Sequence, residues 1–313
     1  MEITIQQASV ADLPLILDVQ KRAFSVIAKA IGNDRIQPLR QSLRELQEEN
    51  RRGIVLKFVS DGQIAGSIRA YLDSALVCHV GKLVVDPEFQ RRGIGRALFA
   101  EIEAYFPTCL KFTLFTSEET PFTCRLYQKA GYQTVSKDEM GGVTMWVMEK
   151  PMSLLCRQKD FGRMDYADCH SARSERRLTV DEALSSVFRT PRWANALLKL
   201  RDVGARPFGL KTAPVAQFSD HYVVGGKAAI FNVSDRNDSE IVMSETDSHL
   251  NFAVSVSVTD LPHGGTDVRV TTIVHFNNRL GKVYFSAIRP FHRLIVHRSV
   301  CRLAKTKNTV GTR

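Results

Sequence analysis

The stretch Lys82–Phe99, KLVVDPEFQRRGIGRALF, decides the fold of the first half of the chain. Leu83, Val84 and Val85 form a short apolar run bounded by the turn signal Asp86-Pro87, which reads as a buried strand that ends abruptly. Beyond the turn, Gln90, Arg91, Arg92, Gly93, Ile94 and Gly95 lead into a helical pattern with Ile94, Leu98, Ile102 and Tyr105 on one face. Gly93 and Gly95 therefore fall where a strand hands over to the first turn of a helix. The first N–H groups of a helix lack intrahelical partners and lie at the positive end of its dipole, so an anion is favoured there. The glycines keep β-carbons away from those amides, and Arg91, Arg92 and Arg96 add formal charge. A pyrophosphate suits such a place; the plainer alternative is a surface helix start whose basic side chains are only solvated.

The pattern has no Lys-Ser/Thr after its second glycine, as a P-loop requires, and no third glycine, as a dinucleotide-binding fold requires. Gln/Arg-x-x-Gly-x-Gly after a strand and a Val-Asp-Pro turn resembles the acetyl-CoA signature of the GNAT acyltransferase superfamily. A second segment, Arg125-Leu126-Tyr127-Gln128-Lys129-Ala130-Gly131-Tyr132, resembles the late motif of the same family, in which a tyrosine precedes x-K-x-G-F/Y. The resemblance implies a GNAT domain over residues 1–150, with a mixed, mostly antiparallel sheet and helices on both faces. It also implies acetyl-CoA as cosubstrate, held by Leu83, Val84, Val85, Gln90, Arg91, Arg92, Gly93, Ile94, Gly95 and Arg96, and no metal. The implied reaction is direct attack of a primary amine on the thioester, whose oxygen is polarised by a backbone N–H near Val85. The family's tyrosine lies near the CoA sulfur, and a phenol with a pKa near ~10 is protonated at neutral pH, so Tyr127 becomes the general acid. Its alternative is a packing role in that helix. Counting back from Gly93 to the family's base position lands on His79, whose imidazole titrates in the useful range; a lone histidine also reads as structural.

Composition sets outer bounds. The chain has 313 residues, enough for two domains, and its 44% hydrophobic and 24% charged content is that of a globular protein. No apolar run reaches the ~20 residues of a membrane helix. The N-terminal MEITIQQASVADL lacks the basic-then-apolar layout of a secretory signal, so the expected location is the cytoplasm. The six cysteines show neither C-x-x-C pairs nor zinc spacing. The net charge of +10 is uneven: residues 1–152 hold 19 Lys and Arg against 18 Asp and Glu, and the remainder holds 24 against 15. The basic residues of the second half are scattered, so a solvated face is expected, with neither nucleic acid nor membrane as partner.

In chain order, Ile3, Ile5 and Gln7 alternate as a strand, Asp12 caps a helix carrying Leu13, Ile16, Leu17 and Phe24, and Asp34–Arg52 reads as one charged helix with the stripe Leu39, Leu43, Leu46. Strands follow at Val55–Val59, Ile64–Leu72, Val77–Val85 and Leu110–Phe115, a helix at Phe122–Ala130, and strands at Tyr132–Val135 and Val143–Glu149. This order also resembles the GNAT fold. Residues 151–164 read as a linker, 165–304 as a second domain and 305–313 as a basic tail.

In the second domain, Thr179 and Glu182 form a capping box before a pair of helices split at Pro191. Strands are expected at Phe218–Val224, Ala228–Val233, Glu240–Ser244, Leu250–Val258 and Asp267–Phe276, and a long helix at Leu280–Ala304, broken near Pro290. Helices, an antiparallel meander and a closing helix suggest a helix-grip fold with room for a small ligand. The motifs Pro191-x-Trp193, Leu200-Arg201-Asp202, Asp247–Phe252, Phe276–Tyr284 and Pro290-Phe291-His292 resemble a bacterial domain family of unknown function near the START-like superfamily. Seven of the eight histidines lie in this half without metal-ligand spacing. Asp247, His249, Asn277 and His292 either line a ligand cavity or pin the sheet edge. The reading is an N-acetyltransferase fused to a helix-grip domain. Its rivals are a ligand-binding protein whose GNAT half senses CoA, and an interaction protein whose basic half contacts nucleic acid or membrane.

Overall fold

The computed structural model describes residues 3–158, 164–189, 219–228, 231–262 and 264–303. The chain divides into two compact units, residues 1–152 and 153–313.

The first unit runs β1 (Ile3–Gln7), α1 (Leu13–Ile31), α2 (Gln37–Arg40), α3 (Leu43–Arg52), β2 (Ile54–Ser60), β3 (Gln63–Leu72), β4 (Val77–Val85), α4 (Ile94–Ala104), β5 (Lys111–Ser117), α5 (Pro121–Lys129), β6 (Gln133–Met140) and β7 (Val143–Pro151). Its sheet has the order β1-β2-β3-β4-β5-β7-β6, antiparallel except for the parallel β4–β5 pair. The β2–β3 turn places Asp61 and Gly62 at φ of 48° and 79°, and the β6–β7 turn places Gly141 and Gly142 at 61° and 77°. Two successive left-handed residues match the twist of a tight hairpin, which is why Asp-Gly and Gly-Gly stand there.

Ile94, Leu98 and Ile102 of α4 are buried against Ile68, Cys78 and Val80, as their spacing requires. Tyr105 departs from that face: it follows the last helical residue and is 40% exposed, and Phe99 is buried with the stripe instead. Asp12 does not cap α1 with its side chain. Its carboxylate turns back to accept from the Ser9 N–H and hydroxyl, closing the short turn before the helix. The expected single helix over Asp34–Arg52 is two helices, because Ser42 starts α3 with a capping box to Glu45.

The second unit contains a short turn of helix (Leu154–Arg157), β8 (Tyr166–Ser174), α6 (Val180–Phe188), β9 (Lys227–Ala228), β10 (Phe231–Arg236), β11 (Glu240–Thr246), β12 (Leu250–Asp260), β13 (Thr266–Phe276) and α7 (Arg279–Leu303). The strands form one antiparallel sheet, β8-β13-β12-β11-β10-β9. Val300 and Leu303 of α7 share a buried cluster with Val180 and Leu184 of α6 and with Val256, Val268 and Val270 of the sheet. Phe285 packs with Leu250 and Val274.

Several expectations are corrected here. Residues 153–157 are not simply linker: Leu154 and Leu155 are buried, and the Ser153 hydroxyl and Leu154 N–H donate to the Glu240 carboxylate at 2.6 and 2.8 Å. Strand β8 was not expected, since Tyr166, Asp168 and His170 put polar groups on its covered face. Residues 219–224 are not a strand, and Ala228–Val233 is split between two strands, with Phe231 paired to Ala228. Helix α7 runs unbroken through Pro290. Pro290 and Ser286 are both exposed, so the carbonyl that loses its N–H partner faces water. The helix expected after Pro191, the motifs around Trp193 and Arg201, and the basic tail lie outside the described residues.

Candidate functional site

The site of the first unit begins with an interruption in β4. Pairing with β3 runs from Leu72↔Cys78 to Arg69↔Gly81, shifts, and resumes at Ser67↔Val84 and Gly66↔Val85. Lys82 takes φ of 49° in this bulge. Pairing with β5 stops earlier, at His79↔Thr113, while β5 itself stays paired with β7 as far as Ser117↔Met145. The two central strands therefore part beyond His79, and the backbone of Leu83–Val85 borders the opening. A bulge followed by divergence is how a sheet presents main-chain donors without a ladder partner.

The turn after β4 is held firmly. Asp86, buried, accepts from Arg22 at 2.6 Å and from the Glu88 N–H at 3.1 Å, and its own N–H bonds the Ala65 carbonyl. Arg91 and Gly93 both adopt left-handed conformations, φ 63° and 81°, with Gly93 at the N-cap of α4. Such a conformation permits glycine readily and turns successive N–H groups toward one concavity. Arg91, Arg92 and Arg96 are exposed there, with Arg92 stacked over Phe89. Gln90 donates to the Val85 carbonyl. A β-carbon on Gly95 would meet Leu83, Val85 and Leu126 at 3.7 to 3.8 Å, so the second glycine lies over the two strand residues and beside α5. Leu83 and Val85 pack on that side, and Val84 points the other way, buried with Val19 and Ala23 of α1. Ile94 is core. The motif residues thus converge on one strand end and one helix mouth.

Tyr127 lies in the same buried cluster, its ring 5.4 Å from Phe99 and 6.4 Å from Tyr132. Its hydroxyl has no hydrogen-bond partner among the described residues, and burial pushes its pKa up to about 12. His79 faces the opposite side of the sheet. It stacks on Tyr71 at 4.7 Å and its Nε2 lies 2.9 Å from Asp73 Oδ2. Burial opposes ionisation of Asp73, but His79 and the N–H groups of Val77 and Ala75 hold its carboxyl below the usual range.

One polar cluster was not anticipated. On the His79 side of the sheet, Arg69 ion-pairs with Glu49 at 2.7 Å and donates to Gln20 and Gln41, while Gln41 and Lys82 both donate to Glu49 Oε1, at 2.9 and 3.0 Å. Gln20 also bonds the Pro38 carbonyl, so the cluster ties α1, α2, α3, β3 and β4 together. The available signal was Arg69 inside the otherwise uncharged β3 run IAGSIRAYL, where an unpaired cation is not tolerated.

In the second unit the four polar candidates separate. Asp247, His249 and Asn277 meet at the start of α7: Asn277 donates to the Asp247 carbonyl and to Asn251, and the Asn277 N–H bonds the His249 carbonyl. Asn278 accepts from the Gly281 N–H in the manner of an N-cap, and a β-carbon on Gly281 would overlap the His249 carbonyl oxygen. These residues pin the strand ends to the helix. His292 lies elsewhere, 3.2 Å from Thr272 and 3.8 Å from Asp168. Asp168 also accepts from Tyr166 at 2.5 Å and lies 3.5 Å from His170. Among the described residues, no group of three or more His, Cys, Asp or Glu side chains is placed to hold a metal ion, and no helix is long and apolar enough to cross a membrane.

Residues 19–152 match the family model described as an acetyltransferase (GNAT) domain, and residues 161–299 match that described as a protein of unknown function, DUF2867. Among curated proteins, the UPF0157 protein YqkA of Bacillus subtilis (strain 168) is 30% identical over 118 residues, which cover 38% of this chain and 34% of that protein. The chain therefore spans about a third of the length of that relative. Solved structures similar to part of the chain include the PaiA N-acetyltransferase from Thermoplasma acidophilum in complex with coenzyme A, at 22% identity and a TM-score of 0.42, covering 48% of this chain and 99% of that one. Another is the ribosomal-protein-S18-alanine N-acetyltransferase from Escherichia coli, at 17% identity and a TM-score of 0.41, covering 49% and 95%. With the split strand, the glycine-led helix mouth and the matched family models together, the chain joins a GNAT acetyltransferase domain at residues 19–152 to a DUF2867 domain at residues 161–299.

Proposed function

We propose that the first unit is an acetyl-CoA-dependent N-acetyltransferase acting on a primary amine. The observation that carries this reading is the parting of β4 from β5 directly before the left-handed Gly93 turn. When bound, acetyl-CoA supplies an acyl group activated as a thioester. The N–H groups at the start of α4, assisted by Arg91, Arg92 and Arg96, hold the diphosphate, and Gly95 keeps the helix mouth free of a β-carbon. A main-chain N–H of Leu83–Val85 donates to the acyl oxygen as charge develops there. His79, oriented by Asp73, takes the proton of the acceptor ammonium directly or through water. Tyr127 donates to the departing sulfur. As an acid of pKa about 12 it serves by a hydrogen bond that strengthens as the sulfur gains charge. The location proposed for the protein is the cytoplasm.

Release of free thiol from acetyl-CoA in the presence of an amine panel tests the reading. Absence of acetyl-CoA binding by calorimetry removes it. A second reading assigns the work to the DUF2867 unit as a small-molecule binder, with the first unit as CoA sensor. It is favoured by one feature, the half-buried polar group in which Tyr166, Asp168 and His170 of β8 meet His292 of α7 around the buried Asp168. Acetyl-CoA binding with no thiol release for any amine supports that reading.

A further inference from the structure

The cluster around Glu49 takes part in no step described above. Its charged members are two cations, Arg69 and Lys82, and one carboxylate, Glu49. Arg69, whose side chain is 9% exposed, is committed to Glu49, Gln20 and Gln41. Lys82 is not saturated: its ammonium has three donors, and Glu49 takes one. The Lys82 side chain is 17% exposed, so its ammonium is partly open to solvent and not sealed in the core. Glu49 Oε1 is already shared between Lys82 and Gln41. Glu45, the other carboxylate that acts on Lys82, is exposed and bonded to the Ser42 N–H and hydroxyl at 2.7 and 2.9 Å.

Position gives this charge a use. Lys82 is the left-handed residue of the β4 bulge and immediately precedes Leu83–Val85, which border the opening between the strands. Its side chain points to the α3 side of the sheet. Tyr71 and His79 lie on that side as a cross-strand pair, as do Arg69 and Gly81. Cosubstrate entering from the α4 end leaves this face for the acceptor. We infer that Lys82 is the anion-binding residue of the acceptor site, and that the acceptor is a primary amine bearing a carboxylate or phosphate close to its amino group. The inference rests on the acyltransferase reading and adds a substrate class to it. Burial and the Arg69 charge together lower the Lys82 pKa in spite of Glu49 and Glu45. An incoming oxyanion relieves that strain, and a neutral group does not.

The full-length chain tests this in two ways. In the first, thiol release is measured for amino acids paired with their own amides, and for an aminoalkyl phosphate paired with the parent amino alcohol. The anionic member of a pair is expected to show at least tenfold higher kcat/KM, and Lys82→Met to remove the preference through KM for the acceptor, not for acetyl-CoA. In the second, the lysines are reductively 13C-methylated, the Lys82 resonance is identified by its loss in Lys82→Met, and the wild type is titrated with acetate, inorganic phosphate and acetamide. A saturable shift with either anion and none with acetamide is expected; acetate and phosphate separate the two headgroups. Turnover with equal rates for paired amines, a preference that survives Lys82→Met, or a Lys82 resonance insensitive to both anions overturns the inference and leaves the acyltransferase reading standing. Failure to bind acetyl-CoA overturns both.

Discussion

In the first unit β4 leaves β5 after three paired residues, whereas in the second β12 and β13 stay in register over eleven, from Leu250↔Phe276 to Asp260↔Thr266. The first sheet carries a left-handed residue, Lys82, inside a strand, and the bulge there releases main-chain donors. The second commits its central ladder to pairing. Among the described residues its polar groups are side chains such as Tyr166 and Asp168 of β8 and His292 of α7. An interrupted ladder offers backbone groups to a ligand, and a continuous one offers only the faces of its strands.

Substitutions break this contrast to different degrees. Gly281→Ala places a β-carbon into the His249 carbonyl and is expected to destabilise the second unit by roughly 3 kcal/mol or more. Amide exchange should show lost protection in β12 and β13 with α4 unchanged, and retained protection means that the α7 cap is not what pins this sheet. Gly93→Val forces a β-branched residue into a left-handed φ, at about 1–3 kcal/mol, and crowds the helix mouth. Calorimetry is expected to show acetyl-CoA affinity reduced roughly 100-fold, a loss of about 2.7 kcal/mol. An affinity close to wild type would falsify the helix-mouth site.

Removing the Tyr127 hydroxyl as Tyr127→Phe should lower kcat roughly 30-fold with little change in KM for acetyl-CoA, less than the ~100-fold or more of a full proton donor because the phenol acts through a hydrogen bond. Unchanged turnover makes Tyr127 a packing residue only. For His79→Ala the expected loss is roughly tenfold at neutral pH, together with disappearance of the acidic limb of the kcat/KM profile. A profile that keeps its limb assigns the base elsewhere. The smallest effect belongs to the second unit. Burial tends to raise the Asp168 pKa, yet hydrogen bonds from His170, His292 and Tyr166 outweigh it and hold this carboxyl far below the usual range. A depressed folded-state pKa adds stability above the unfolded value near ~4, and that stability is lost as pH falls further. Asp168→Asn should therefore cost about 1 kcal/mol at pH 7 and flatten the acid dependence of unfolding below pH ~4 without altering acetyl transfer.

Much of the first unit was legible because its signals are local. Asp61-Gly62 and Gly141-Gly142 each specify backbone geometry within two residues, whereas the equally local Ser42–Glu45 box goes unread inside the single helix expected for Asp34–Arg52. Gly93 could be read as the helix N-cap for the same reason. Errors came where local and distant demands compete. Asp12 has the right identity for a cap, but Ser9 claims its carboxylate. Pro290 signals a helix break, but its exposed face lets water take the place of the missing bond. Strand β8 shows no apolar alternation because its covered face carries Tyr166, Asp168 and His170, which contact one another and meet Phe285, His292 and His297 of α7, more than a hundred positions later.

The sequence by itself determined the strand, the turn and the glycine-led helix of residues 82–99, and the family resemblance carried by that motif and by Arg125–Tyr132 singled out Tyr127 and His79. Periodicity and turn chemistry act between neighbours in the chain, so they can be read from it directly. Only the tertiary structure decided that β4 parts from β5 after His79, that Tyr127 and His79 occupy opposite faces, and that Gln20, Gln41, Glu49, Arg69 and Lys82 form one cluster. Those facts depend on side chains and strands that meet across tens of residues, where burial and charge fix the arrangement and no local pattern records it.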